Sequence, residues 1–348
     1  MLETCLITGG AGFIGSNFVR QWIAEETAPL VNVDALTYAG NLVSLTDVEP
    51  HPRYTFVHAN IGDTETMHAV FRTHQPRFVV HFAAESHVDR SIAGPEDFVT
   101  TNVVGTFRLL ETARTYFGTL PENEKKRFRF LHVSTDEVYG SLGPDGSFKE
   151  TSPYAPSSPY SASKASADHF VRVYHHTYGL PVLLTNGSNN YGPYQLPEKL
   201  VPRMIINAMA GKPLPIYGDG RQTRDWLYVD DHCRAVRMVL HKGTIGETYH
   251  IGGNTERPNL EIVRLICGLV EKHGPTIPHK PLHSLITHVQ DRPGHDRRYA
   301  MDTTKIETEL GWKPLESFET GINKTVLWYL NRQDWVQAVT QKKMRNEK

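Results

Sequence analysis

Cysteine is scarce, with Cys5, Cys233 and Cys267 the only three in 348 residues and no CxxC spacing among them. An odd, scattered set excludes a disulfide framework and a cysteine zinc site, and it favours a reducing, cytoplasmic setting. Net charge is nearly absent, at −1. Without a basic excess the chain is not expected to bind nucleic acid, and without a charge block it has no interaction tail. No apolar run approaches the roughly 20 residues needed to span a bilayer. The first apolar run passes straight into glycines, so it does not read as a signal peptide and no membrane partner is expected. Histidine is abundant, at 18, but none falls in an HExxH-like ligand pattern, so no metal is expected and most are read as structural or surface residues. What remains, 39% apolar and 22% charged, is the composition of an ordinary globular protein.

The first half alternates short apolar segments with helical ones. Strands are expected at Cys5–Thr8, Leu30–Asp34, Tyr54–Asn60, Phe78–Ala84 and Phe128–Ser134. Helices are expected through about Ile23, around Thr66–Thr73, and as one long helix after Asp97. Strands that are almost wholly apolar and separated by helices indicate a parallel sheet covered on both faces. The fold class is therefore α/β, a Rossmann-type doubly wound parallel sheet with a smaller C-terminal α/β substrate-binding lobe. The expected division is 1–188 for the dinucleotide lobe and 189–348 for the other, with about 225–250 returning to the Rossmann body. Helices are expected over Tyr160–Tyr178 and after Asp230 and Asn259, and strands at Val182–Ser188, Leu214–Gly218, Asp225–Val229 and Glu247–Gly252. Proline and glycine cluster at 143–159, 192–220 and 274–294, which read as loops.

Chemistry begins at Thr8-Gly9-Gly10-Ala11-Gly12-Phe13-Ile14-Gly15. Gly9, Gly12 and Gly15, after a strand and at the start of a helix, are the spacing of a dinucleotide loop: a tight turn, a close approach to the pyrophosphate, and helix-on-sheet packing. The helix N-terminus offers free N–H groups to the diphosphate. Asp34 ends the second strand, where a carboxylate accepts hydrogen bonds from ribose hydroxyls and repels a 2′-phosphate, and no arginine lies in 35–40. The cofactor expected is NAD.

Tyr160 and Lys164 stand four apart on one helix, so both side chains share a face. The ammonium favours the phenolate and so lowers the tyrosine pKa, making Tyr160 a candidate general base. Strand five runs into Thr135, Asp136 and Glu137. Carboxyl ends of strands face the ligand crevice in such sheets. Adjacent carboxyls there supply an acid and a base if burial raises one pKa over the other.

Together these motifs resemble the extended short-chain dehydrogenase/reductase family, and within it the nucleotide-sugar 4,6-dehydratases. The resemblance runs from the glycine loop to about Tyr329 and includes TGGAGFIGSN, HFAAESHVDRSI, STDEVYG, SPYSASKASADH, SNNYGPYQLPEKL, RDWLYVDDHCRA and DRPGHDRRYAMD. It implies dTDP-glucose as substrate, oxidised at C4, dehydrated across C5 and C6, and reduced at C6. Tyr160 is then the C4 base, Glu137 the C5 base, Asp136 the acid at C6, and Thr135 a partner of O4, with Lys164 on the nicotinamide ribose. For the cofactor the resemblance adds Phe13, Ile14, Thr37, Asn60, Ile61, Ala83, Ala84, Ser86, Thr101 and Asn189. For the substrate it adds Ser86, Asn190, Lys199, Leu200, Pro215, Ile216, Tyr217, Arg224, Asn259, Arg292 and His295. It also implies a homodimer built on the helix around Val99–Tyr116 and the one starting at Tyr160. Rival readings on the same fold are a UDP-sugar 4,6-dehydratase, a 4-epimerase, a decarboxylase and a non-catalytic NAD sensor. The epimerases lack the Asp-Glu pair, decarboxylases generally keep only the glutamate, and sensors usually lose the tyrosine or lysine. Three departures stand out: Asn60 where aspartate is usual, the short 141–150 segment, and Asn186-Gly187 in place of a charged or cysteine-bearing pair.

Overall fold

The computed structural model describes residues 3–274 and 279–346. The strands are β1 Cys5–Thr8, β2 Leu30–Asp34, β3 Tyr54–His58, β4 Phe78–His81, β5 Arg129–Thr135, β6 Val182–Gly187, β7 Asn189–Tyr191, β8 Leu214–Tyr217, β9 Thr223–Tyr228, β10 Thr248–Ile251, β11 Glu256–Pro258 and β12 Ile286–Val289. The helices are α1 Phe13–Glu25, α2 Thr64–His74, α3 Val88–Ala93, α4 Glu96–Phe98, α5 Thr106–Thr119, α6 Glu122–Lys125, α7 Pro159–Tyr178, α8 Leu200–Met209, α9 Val229–Lys242, α10 Asn259–His273, α11 Thr304–Leu310, α12 Phe318–Asn331 and α13 Gln333–Asn346.

Seven strands form one parallel sheet in the order β10-β6-β5-β4-β1-β2-β3. This is the doubly wound architecture, and its strand order reverses between β1 and β4. Its central strands are wholly buried, which is why they read as continuous apolar runs. One face packs under α1 and α9 around Phe18, Trp22, Val236 and Leu240; the other packs under α2, α5 and α7 around Phe71, Leu109, Phe130 and Val171. β10 completes this sheet although it lies late in the chain, pairing Tyr249 with Thr185 on β6. The smaller sheets, β11-β9-β7 and β12-β8, sit against α8, α10, α12 and α13 around a second core containing Tyr191, Met204, Ile266 and Trp335.

Several boundaries differ from expectation. β3 stops at His58 and β4 at His81, because Ala59–Ile61 and Phe82–Ser86 leave the sheet to line a cleft. The single long helix expected after Asp97 is instead α4, a π-helical segment Val99–Gly105, and α5. The 192–220 stretch, read as loop around the strand expected at Leu214–Gly218, also contains α8, while β8 matches that expected strand to one residue; 274–294, read as loop, contains β12. α7 matches its expectation to one residue; Ser158 and Ser161 form a capping box and Gly179 closes it in the left-handed conformation, at φ 68°.

Candidate functional site

The glycine loop is fixed by sterics. Gly9 has φ 76°, and a Cβ there would lie 2.6 Å from the Ala83 backbone nitrogen. At Gly15 a Cβ would meet the Gly9 carbonyl oxygen at 2.2 Å. No side chain caps the first turn of α1, so its N–H groups stay open to an anion. Asp34, buried at the end of β2, accepts from the backbone N–H of Ala11 at 2.9 Å and of Leu36 at 2.8 Å. Two bonds to a carboxylate leave acceptor capacity for ribose hydroxyls. These are features that fit a dinucleotide.

Two clefts meet over the carboxyl ends of the central strands, and Ser86, Leu196 and Lys199 line both. The first brings together Gly9, Gly12, Phe13, Ile14, Gly15, Asp34, Thr37, Asn60, Ile61, Ala83, Ala84, Thr101, Tyr160 and Lys164. The second brings together Glu137, Leu200, Pro215, Ile216, Tyr217, Arg224, Asn259, Arg292 and His295. Asn189, expected on the cofactor side, lines the second cleft instead. Asn190 lines neither: its amide donates to the Ser188 carbonyl at 2.9 Å and contacts His232 Nδ1 at 3.0 Å.

The reactive groups lie where β5 ends and α7 begins. Thr135 terminates β5, and its hydroxyl caps the following turn by accepting from Glu137 N–H at 3.2 Å. The same hydroxyl donates to Asp136 Oδ1 at 3.2 Å. Asp136 is 2% exposed, and its Oδ2 has no partner among the described residues. Burial, then the charge of Glu137, pushes the Asp136 carboxyl well above its ordinary range. Burial also raises Glu137, but Arg292, Arg224 and Lys199 oppose it. Tyr160 corrects the expectation of a lowered phenol: burial, then Glu137, holds it well above the usual value. Lys164 donates to the Val133 carbonyl at 2.9 Å, and its ammonium is pushed down to about 8 by burial.

Cations gather in the second cleft. Lys199 donates to the Ser86 carbonyl at 2.9 Å. Arg224, buried, is anchored by the carbonyls of Thr223 at 2.8 Å and Asp296 at 2.9 Å and stacks over Tyr299. Arg292 pairs with Asp89 at 3.0 Å, and Tyr217 donates to the same carboxylate at 3.0 Å. Asp89, Arg203, Gln195 and Leu196 join the lining without having been singled out, although HVDRSI and PYQLPEKL carry three of them. α13 was invisible as a site element, since it lies beyond the resemblance. Its Val339 and Thr340 line the second cleft, and Lys342 donates to the carbonyls of Thr37 at 3.3 Å, Leu36 at 3.4 Å and Gly40, on the rim of the first. Among the described residues no cluster of histidine, cysteine and carboxylate is placed to hold a metal, and no helix is long and apolar enough to cross a membrane.

Comparison with known proteins agrees in length and detail. The chain is 59% identical over 338 residues to a dTDP-glucose 4,6-dehydratase of Xanthomonas campestris pv. campestris (strain B100), covering 97% of this chain and 96% of the relative. A dTDP-glucose 4,6-dehydratase from Streptomyces venezuelae, solved with NAD bound, superposes with a TM-score of 0.88 at 46% identity, covering 97% of this chain and 99% of that one. One from Bacillus anthracis in complex with NAD gives 0.86 at 46% identity over the same shares. The family model described as GDP-mannose 4,6 dehydratase matches residues 6–325, and the chain belongs to that family of extended short-chain dehydrogenases/reductases.

Proposed function

We propose that the protein is an NAD-dependent dTDP-glucose 4,6-dehydratase. The observation that carries the reading is the unequal Asp136–Glu137 pair beside Tyr160. Asp136 is buried, 2% exposed, and pushed well above its ordinary range by burial and the charge of Glu137, with Arg224 opposing. Glu137 lines the second cleft, and three cations, Arg292, Arg224 and Lys199, oppose its rise. An oxidation alone needs neither group; an elimination needs both an acid and a base. The names of the close relatives support the dTDP-hexose.

Bound in the first cleft, NAD supplies the hydride acceptor for C4 and the donor for C6, with a positive ring charge while oxidised. Tyr160 takes the C4 hydroxyl proton, Lys164 holds charge beneath it, and Thr135 orients O4. Glu137 removes the C5 proton made acidic by the ketone. Asp136 protonates the departing C6 hydroxyl. Arg224, Arg292 and Lys199 hold the diphosphate, and Pro215, Ile216, Tyr217, Asn259 and His295 surround the nucleoside. Residues 1–188, with the segment at 225–250, form the cofactor lobe and the remainder the nucleotide-sugar lobe. The protein acts in the cytoplasm as a homodimer through α5 and α7, whose outer faces expose Phe107, Phe170 and Val173.

Incubation with dTDP-glucose and, separately, UDP-glucose tests the reading through the alkali-induced absorbance of a 4-keto-6-deoxy product. Product from dTDP-glucose is expected. Product from neither overturns the dehydratase, and product from UDP-glucose alone overturns the nucleotide assignment. Because the hydride leaves and returns, NAD is expected to co-purify.

A further inference from the structure

Tyr160, Lys164 and Asp168 follow one another at four-residue steps along α7 and so form a single row. The first two face the cleft. Asp168 lies behind them with 0% exposure. Its Oδ1 stands 3.2 Å from His132 Nε2, and that same nitrogen is 3.4 Å from Lys164 Nζ. Its Oδ2 accepts from Ser134 at 2.9 Å and Tyr154 at 2.8 Å, with Asn186 at 3.4 Å. Every one of these partners can donate, an environment suited to a carboxylate and not to a protonated acid.

A buried ammonium and a buried carboxylate each cost several kcal/mol if left unpaired. Lys164 is 4% exposed, and its direct contacts are a carbonyl and an imidazole, neither of which carries negative charge. The neighbours that bear on it can be named by element. From α7 they are Tyr160 and Asp168. From β5 comes His132, and from β4 His81, whose ring is 5.1 Å from that of His132. Arg172 reaches Tyr154 at 2.8 Å behind Asp168, and Asp136 and Glu137 face Tyr160 from beyond. Within this set, Asp168 is the carboxylate on the lysine side.

We propose that Asp168, across the His132 ring nitrogen from the ammonium, is a positioning residue for Lys164: its carboxylate is the buried counter-charge that keeps the ammonium in place and protonated beside Tyr160. The direction of the ionisations agrees. Burial lowers Lys164, and Asp168 is the group that opposes it. Burial raises Asp168, but the nearby His132 and Lys164 and the Ser134 hydroxyl outweigh it. His132, pushed to about 4 by burial and then by Lys164, stays neutral and adds no charge of its own; its Nε2 can donate to Asp168 or accept from Lys164 but not both, so the two charges act on each other across the ring nitrogen.

The inference rests on the dehydratase reading, and its test separates the two. Holoenzyme is mixed with dTDP-glucose, and the first hydride transfer is followed as bound NADH across pH, for the native chain, Asp168→Asn and His132→Gln. Loss of the counter-charge lowers Lys164, so the charged ammonium beneath Tyr160 is lost at a lower pH; the Asp168 charge itself raises the phenol, so its removal does not by itself hinder Tyr160. For Asp168→Asn the alkaline limb of the profile, where Lys164 loses its proton, is expected to move down by about one pH unit, with transfer slowed by up to roughly tenfold at neutral pH. NAD content and KM for the sugar nucleotide should be unchanged. His132→Gln should shift the limb in the same direction by less. A folded, NAD-loaded Asp168→Asn with the native limb overturns the proposal; should that variant not fold, a native limb in His132→Gln overturns it. Absence of product from the native chain overturns the dehydratase reading instead.

Discussion

Asp136 and Glu137 are neighbours in sequence and unlike in surroundings: Asp136 is buried at the turn after β5, with Arg224 the cation that acts on it, while Glu137 lines the second cleft, where Arg292 and Lys199 act on it as well. Asp136→Asn combined with Glu137→Gln should therefore still oxidise C4 and accumulate bound NADH without releasing product, read from NADH absorbance after mixing; a folded double variant with no such signal refutes the division of roles. Gly15→Ala should weaken NAD binding by roughly tenfold or more, since its Cβ meets a backbone oxygen at 2.2 Å and overpacking of that kind costs about 1–3 kcal/mol; calorimetric titration with NAD checks it. At this scale the glycines, Asp34, Tyr160 and Lys164 were legible because their chemistry depends on short, fixed spacings. The ionisation of Tyr160 was not, because it depends on burial and on Glu137. Nor was the Asn186-Gly187 departure, which the structure now explains. Asn186 donates to the Thr135 carbonyl at 3.0 Å and so braces the catalytic strand end, while a Cβ at residue 187 would lie 2.4 Å from the His232 ring.

Elements were legible where one pattern controls them. β1 and β2 appeared with their expected bounds because a fully buried parallel strand reads as an unbroken apolar run. The segment before α5 failed that test. There the chain widens into a π-helix so that Asn102 can hold Glu85 by both its backbone groups, at 2.8 and 2.9 Å, and Ser163 at 2.8 Å. Those bonds are long-range, and no local periodicity encodes them; they fix the Ala83–Ser86 rim to the catalytic helix, in keeping with the tendency of π-bulges to occur at functional sites. The outer faces of α5 and α7 carry Phe107 and Phe170, exposed at 39% and 38% with ring centroids 6.0 Å apart. Phe107→Glu should convert the proposed dimer to monomer by light scattering; a native mass would remove this face from the assembly. Lys342→Met should speed NAD release several-fold, measured by chasing the holoenzyme with excess labelled NAD, while Lys342→Arg retains the native rate.

For the whole molecule, the buried carboxyls couple function to pH stability. Asp136, Glu137 and Asp225 bind protons more tightly folded than unfolded, because burial raises each of them. The folded state then holds the extra protons, so this contribution declines as pH rises above the ordinary carboxylate range and flattens above the folded values. Asp136→Asn, which never ionises, should raise Tm at neutral pH by roughly 2 °C or more, and the gain should vanish in acid below the ordinary carboxylate range. A gain of equal size at every pH contradicts the linkage. The acid that the elimination needs is thus held against the stability of the fold.

The clasp of Lys342 on Leu36, Thr37 and Gly40 spans 302 to 306 residues of sequence. Contacts of such separation are the slow ones to form, since the loop they close is almost the entire chain. The dinucleotide rim begun within the first forty residues is therefore finished only when the last helix docks. In a refolding experiment, native secondary structure should return before the capacity to retain NAD.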